Sequence, residues 1–199
     1  MNADDAMTRY ARGDEEAFAI VYDAVAPRLE GYLRRHLRGS AQVEDIIQQT
    51  FMQMHDKRGT FTAGAEVLPW AFSIARNFMI DTVRKTKREA SADMSDERAA
   101  MGAMLVSRAA SGEEVLQARQ TGARVLAAFE AMTDHQRAAY ELTEGEGMSH
   151  AEAANVLGTT VMGVKLCRHK VNKRLRSAIE EHDDEGAIIA PSSAPAGET

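Results

Sequence analysis

Residues 149–176 read SHAEAANVLGTTVMGVKLCRHKVNKRLR, and this stretch decides the fold. Ser149 followed three residues later by Glu152 is a capping-box signal for a helix start. The short helix it opens, His150 to Val156, contains the small pair Ala153 and Ala154, which lets a second helix approach closely. Leu157-Gly158-Thr159 then makes a turn, because glycine takes the left-handed backbone at little cost, and a longer helix begins at about Thr160. Two helices joined in this way form a helix-turn-helix. In the second helix Val164, Cys167, Val171 and Leu175 share an inward face, with Lys165, Leu166, His169, Lys170 and Lys173 opposite. Lys165 to Arg176 carries six Lys or Arg residues and no acid. A helix dry on one side and basic on the other suits the DNA major groove. Lys165, His169 and Lys170 are placed to reach base edges, while Lys173, Arg174 and Arg176 suit phosphate; Leu166 and Thr160 complete the candidate surface. A charged face is often merely solvated, but the capped helix and glycine turn ahead of this one favour DNA.

Outward from this segment, nearly every periodic stretch reads as helix. Phe18, Val21, Tyr22, Val25 and Leu29 mark one apolar face, and Pro27 is expected to kink or divide that helix. Gly39-Ser40 is expected to end it, with Ser40 capping the next, in which Ile46, Ile47, Thr50, Phe51 and Met54 repeat at helical spacing. Residues 59–68 read as a loop, and Pro69 as the first position of a helix running to about Lys87. On that helix Asn77, Asp81, Arg84 and Arg88 share a face, extended toward the N-terminus by Trp70 and Ser73. An aromatic ring, an amide and several arginines on one face can stack on a base, bond its edge and hold the backbone. The plainer alternative makes Trp70 a core residue and Asp81 a partner of an arginine. Residues 89–118 read as a flexible linker. A second helical set follows, with Thr133 and Gln136 as another capping box, and residues 181–199 form an acidic Pro/Ser tail expected to be disordered. The fold class is all-α: two small helical bundles, 1–88 and 119–180, joined by a flexible linker, the second containing the helix-turn-helix.

Composition narrows the function. The 199 residues are 44% hydrophobic and 27% charged, with a formal net charge of −6. The net acidity does not oppose DNA binding, because phosphate affinity follows the local field, and Arg84 to Arg88 is a second basic cluster, four cations in five residues. The single cysteine, Cys167, excludes an internal disulfide and a CxxC zinc site; its helical position predicts a buried thiol. The six histidines show no metal-ligand spacing, and Glu144-Gly-Glu-Gly147 lacks the Lys and Ser/Thr of a phosphate loop. No metal, no cofactor and no enzymatic activity are therefore expected. No apolar run approaches the roughly 18–20 residues that span a bilayer, and Met-Asn-Ala-Asp-Asp at the start lacks the basic and apolar regions of a signal peptide. A soluble cytoplasmic protein with no direct membrane insertion is the expectation.

Three motifs in order resemble the bacterial RNA polymerase sigma factors of the extracytoplasmic-function (ECF) type. Val43-Glu-Asp-Ile-Ile-Gln-Gln-Thr-Phe51 is similar to the family's polymerase-binding helix. Trp70-Ala-Phe-Ser-Ile-Ala-Arg-Asn77, followed by Asp81 and Arg84, is similar to its promoter-melting helix. Met132-Thr-Asp-His-Gln-Arg137, then Ala151-Glu-Ala-Ala, Leu157-Gly158 and Gly163-Val-Lys165, is similar to its last domain. The resemblance implies that Asp45, Gln48, Gln49 and Phe51 face core RNA polymerase. Phe61, Trp70, Arg76, Asn77, Arg84 and Arg88 would engage the −10 element of promoter DNA, and Thr160, Lys165, Leu166, His169, Lys170, Lys173, Arg174 and Arg176 the −35 element. It also implies an anti-sigma factor, often membrane-anchored in this family, and, since no further domain follows the second bundle, regulation largely from outside. The family commonly has Ser-Arg where this chain has Leu166-Cys167, and often Arg at Lys170, so its −35 sequence does not carry over. Two rivals are a stand-alone helix-turn-helix regulator, which leaves the 43–51 and 70–77 motifs unexplained, and a sigma mimic that sequesters an anti-sigma factor, which has no need of a basic DNA face.

Overall fold

The computed structural model describes residues 1–37, 39–90 and 112–187. Eight α-helices follow in order among them: α1 (Ala3–Ala11), α2 (Ala17–His36), α3 (Ser40–Asp56), α4 (Val67–Ala90), α5 (Gly112–Glu130), α6 (Asp134–Tyr140), α7 (His150–Leu157) and α8 (Val161–Ala187). A single 3-10 turn, Arg58–Thr60, follows α3, and a π-helical turn, Glu141–Gly145, follows α6. No strand occurs among the described residues.

Several boundaries differ from the sequence expectation, each for a physical reason. Helix α1 has no counterpart in that expectation; Asn2 caps it by accepting the Asp5 N–H at 2.7 Å, and Ala6, Met7 and Tyr10 bury its inner stripe. Helix α2 passes through Pro27 as one element, because Val21, Val25, Leu29, Tyr32 and Leu33 bury a single face on both sides of it. Each such side chain contributes about 1.5–3 kcal/mol on burial, which together exceeds the roughly 3 kcal/mol cost of an internal proline. Ser40 is the first residue of α3 rather than its cap, a place taken by Gly39. Helix α4 starts at Val67, two residues before Pro69, because Asp4 of α1 accepts the Val67 N–H at 2.8 Å. Of the expected linker, 112–118 is the first part of α5, and 91–111 lies outside the described residues; of the expected tail, 181–187 continues α8, and 188–199 lies outside them.

The last bundle follows its local signals closely. Thr133 with Gln136 and Ser149 with Glu152 both form reciprocal capping boxes, and Gly158 ends α7 at φ +62°. The two bundles are not held apart. Helix α7 packs on α4, and buried apolar side chains of both bundles, from Ala6 to Met79 and from Ala138 to Val164, form one continuous core.

Candidate functional site

The start of α8 is set by Thr160, whose hydroxyl oxygen accepts the Gly163 N–H at 3.0 Å. Val164 and Val171 are fully buried, as the spacing predicts, whereas Cys167, expected to be buried, is only half-buried against the core. Thr160, Lys165, Leu166, His169, Lys170, Lys173, Arg174 and Arg176 are all exposed. Two basic residues of the segment have partners inside the bundle: Arg168 pairs with Glu144 at 2.5 Å, and Arg174 donates to the Ala131 carbonyl at 3.2 Å. Arg174 thus also ties α8 to the α5–α6 turn.

On α4 the expected common face divides. Asn77, Arg84 and Arg88 are exposed, with Asp81 3.8 Å from Arg84. Trp70 is half-buried against Phe61, ring centroids 5.2 Å apart. Arg76 is the clear departure from the expected surface: its Nε is buried without a hydrogen-bond partner, beside the buried Tyr32. Burial pushes the Tyr32 phenol up to about 12, against the lowering pull of the Arg76 guanidinium. One residue before Asn77, Arg76 is rotated about 100° around the helix, toward the side where Phe72, Ala75 and Met79 are buried.

Along α3, Asp45, Gln48 and Gln49 are exposed, whereas Phe51 is buried at 6% exposure. Its ring lies 4.7 Å from Tyr22 and 5.9 Å from Phe18, so it is part of a packed cluster instead of a free contact residue. The cluster floors a groove of about 600 Å³, lined also by Ile47, Gln48 and Met52, with Glu15, Glu30 and Glu44 along it. Tyr22 and Met52 are exposed there, at 45% and 60%. Sequence reasoning put Tyr22 on the core stripe of α2 and did not single out Met52; their periodic positions do not distinguish a core edge from a groove wall.

Between the bundles lies a charged cluster that sequence reasoning missed. Glu141, in the π-turn, accepts from Arg35 Nε at 3.4 Å and approaches His36 Nε2 at 2.9 Å. Glu146 accepts from Arg28 Nε at 3.0 Å and Arg35 Nη2 at 3.3 Å, and its carbonyl also accepts from Arg28. Elsewhere on this interface the Glu66 and Glu152 carboxyl groups meet, and they can share a hydrogen bond when one of them holds a proton. The Glu152 hydrogen bond and charge raise the Glu66 pKa, followed by burial and Asp4. For Glu152, burial raises the pKa but hydrogen bonds from Glu66 and Ser149 outweigh it, and the net shift is down.

Known proteins resemble this chain over both bundles. The description Sigma-70 region 2 matches residues 21–89, and Sigma-70, region 4 matches residues 122–170. The chain is 30% identical over 175 residues to the RNA polymerase sigma factor CarQ of Myxococcus xanthus, covering 88% of this chain and 96% of that one. It is 25% identical over 175 residues to the ECF RNA polymerase sigma factor SigK of Mycobacterium ulcerans, covering 87% and 91%. Its fold is shared by the sigma factor RpoE solved with the anti-sigma factor NepR from Bartonella quintana, at TM-score 0.63 and 22% identity over 82% of this chain and 96% of that one. It is shared also by CnrH solved with the cytosolic domain of CnrY, at 0.62 and 23% over 90% and 99%. This chain belongs to the extracytoplasmic-function group of the sigma-70 family of bacterial RNA polymerase sigma factors.

Proposed function

We propose that the protein binds core RNA polymerase through Asp45, Gln48 and Gln49 of α3, and reads a promoter with α4 and α8 while docked there. The observation that carries this is the presence in one chain of two exposed surfaces: the acid–amide triad of α3, within the region 2 match, and the basic face Lys165–Arg176 of α8, which begins within the region 4 match and runs past its end. Phe51 supports the first surface from beneath.

In this reading residues 1–88 form the polymerase-binding and −10 unit, and 119–180 the −35 unit. Asn77, Arg84 and Arg88, with the edge of the Phe61–Trp70 pair, take the opened −10 strand; unstacking a base costs a few kcal/mol, which stacking and backbone contacts offset. Arg76 orders this helix from within, against Tyr32. Lys165, His169 and Lys170 read base edges in the −35 groove, and Lys173 and Arg176 hold phosphate. Each unit alone binds DNA weakly, and linkage through the polymerase raises the effective concentration of the second once the first is bound. No bond is made or broken by the protein itself. An anti-sigma factor is expected to cover these surfaces until the signal arrives. No described helix is long and apolar enough to cross a membrane, and we place the protein in the cytoplasm with its polymerase.

The test is a titration of labelled protein with purified bacterial core polymerase, with Asp45→Ala/Gln49→Ala as control. Saturable sub-micromolar binding, lost in the control, supports the assignment. Core binding undiminished in the control moves the polymerase surface elsewhere, and tight promoter binding without polymerase replaces the sigma mechanism by that of a stand-alone regulator.

A further inference from the structure

Seven large apolar side chains are strongly exposed among the described residues, and three of them fall within six positions at the start of α8: Val161 at 42%, Met162 at 72% and Leu166 at 51%. Exposed apolar residues scattered singly are ordinary, whereas a cluster marks a contact surface. Met162 and Leu166 are one turn apart on the same helix face. Around them stand Lys165, His169 and Lys170, all exposed, and no acid occurs from Ala153 to Ile179. The packing of the two bundles leaves this face open.

Such a surface needs a polyanion that carries apolar groups at its recognition edge. In a helix-turn-helix the N-terminal residues of the second helix are the ones that reach base edges. The apolar feature of the major groove is the thymine C5-methyl group. Neither Leu nor Met donates a hydrogen bond, so neither reads a purine edge. A Cβ at Gly163 would lie 3.0 Å from the Thr159 hydroxyl and 3.3 Å from that of Thr160, the oxygen that accepts the Gly163 N–H, so the cap that starts α8 is closely packed around the glycine between Met162 and Val164.

We propose that Met162 and Leu166 form a methyl-reading stripe, and that the −35 element of this factor carries thymines whose C5-methyl groups pack against them. The inference rests on the reading of α7 and α8 as the −35 unit. Contact between apolar groups releases no counterions, so this part of the selectivity persists at salt concentrations that weaken the phosphate contacts of Lys173 and Arg176.

The experiment uses holoenzyme assembled from core polymerase and the full chain. A preferred promoter is first selected from DNA randomised upstream of the start site, and each −35 thymine is then replaced by deoxyuridine, which removes the methyl and keeps the pairing. The expected result is a loss of about four-fold in affinity for each contacted methyl, the equivalent of one buried methylene, at one or two positions. That loss is absent in Met162→Ala or Leu166→Ala, both exposed and so without consequence for folding. Deoxyuridine tolerated throughout a specifically bound −35 element overturns the proposal and leaves the sigma assignment standing. The same loss in wild type and both variants overturns it equally, as does a fall in core-polymerase affinity in Leu166→Ala with uridine tolerated, which assigns the stripe to protein. Holoenzyme that selects no −35 sequence at all overturns the underlying reading as well.

Discussion

Glu141→Gln is expected to open the molecule. A compact chain of this length has a radius of gyration of about 16 Å, a sphere some 42 Å across. The −10 and −35 elements lie about 25 base pairs apart, roughly 85 Å at 3.4 Å per pair. The bundles as packed cannot span both, so they must part on the promoter, and whatever holds them together opposes DNA binding. The Glu141 carboxylate, its side chain 7% exposed, meets Arg35 at 3.4 Å and His36 at 2.9 Å. Breaking a fully buried pair costs about 3–5 kcal/mol. Here that figure is too large, since the Arg35 side chain is 34% exposed and keeps Glu146. Glutamine preserves shape and one acceptor but removes the negative charge, so the Arg35 guanidinium keeps a hydrogen bond and loses an ion pair, at a cost between the exposed-pair value of about 0.2–1 kcal/mol and the buried one. A cost of about 1–2 kcal/mol shifts the closed-to-open ratio by about 5–30-fold.

Single-molecule energy transfer between dyes on cysteines introduced at Asp23 and Asn172, both exposed, in a Cys167→Ser background reads this directly. The low-transfer population should grow by that factor in Glu141→Gln, and should also grow in wild type as salt rises. An open fraction that changes less than two-fold in both experiments refutes the claim that the Arg28–Arg35–His36 cluster governs closure, and leaves the apolar contact of α7 on α4 as what holds the bundles together.

Glu66→Gln is expected to act in the opposite sense. The raised Glu66 pKa makes its contribution full below the ordinary carboxylate value of 4.5 and lost as pH rises through the shifted value; the lowered Glu152 pKa makes its contribution present above 4.5 and lost as pH falls. The contact is therefore best where Glu66 holds the proton and Glu152 does not, around the carboxylate range, and weaker at pH 7. Glutamine supplies the donor at every pH, so the closed fraction at pH 7 should rise in the same energy-transfer assay and its decline above the carboxylate range should vanish; an unaltered pH profile sinks the idea. Asn77→Ala, at an exposed position whose loss changes stability by less than about 0.5 kcal/mol, should slow promoter opening in a permanganate-reactivity time course while core-polymerase affinity is unchanged. Loss of core binding instead would show that the polymerase and −10 surfaces are not separate.

What was legible in the sequence is what is local. The capping boxes at Thr133 and Ser149 lie within four residues of chain, and both formed as read. The left-handed turn at Gly158 and the inward Val164–Val171 stripe are of the same kind. Where reading failed, the deciding partner was remote. Asp4 sets the start of α4 from 63 residues away, so Pro69 looked like the first helical position. Arg76 and Asn77 are neighbours in every sequence pattern, yet Tyr32 of α2 divides them into an inner and an outer residue. The closure cluster is the extreme case, joining residues 105–118 positions apart. Nothing in the segment that holds Glu141 and Glu146 shows that Arg28, Arg35 and His36 will stand opposite. Two of the acids that make the net charge negative, Glu141 and Glu146, are turned toward the protein's own cations. A net charge counts pairs that fold together as though both members faced solvent, so for a chain that closes on itself the sign of an exposed face cannot be read from the total.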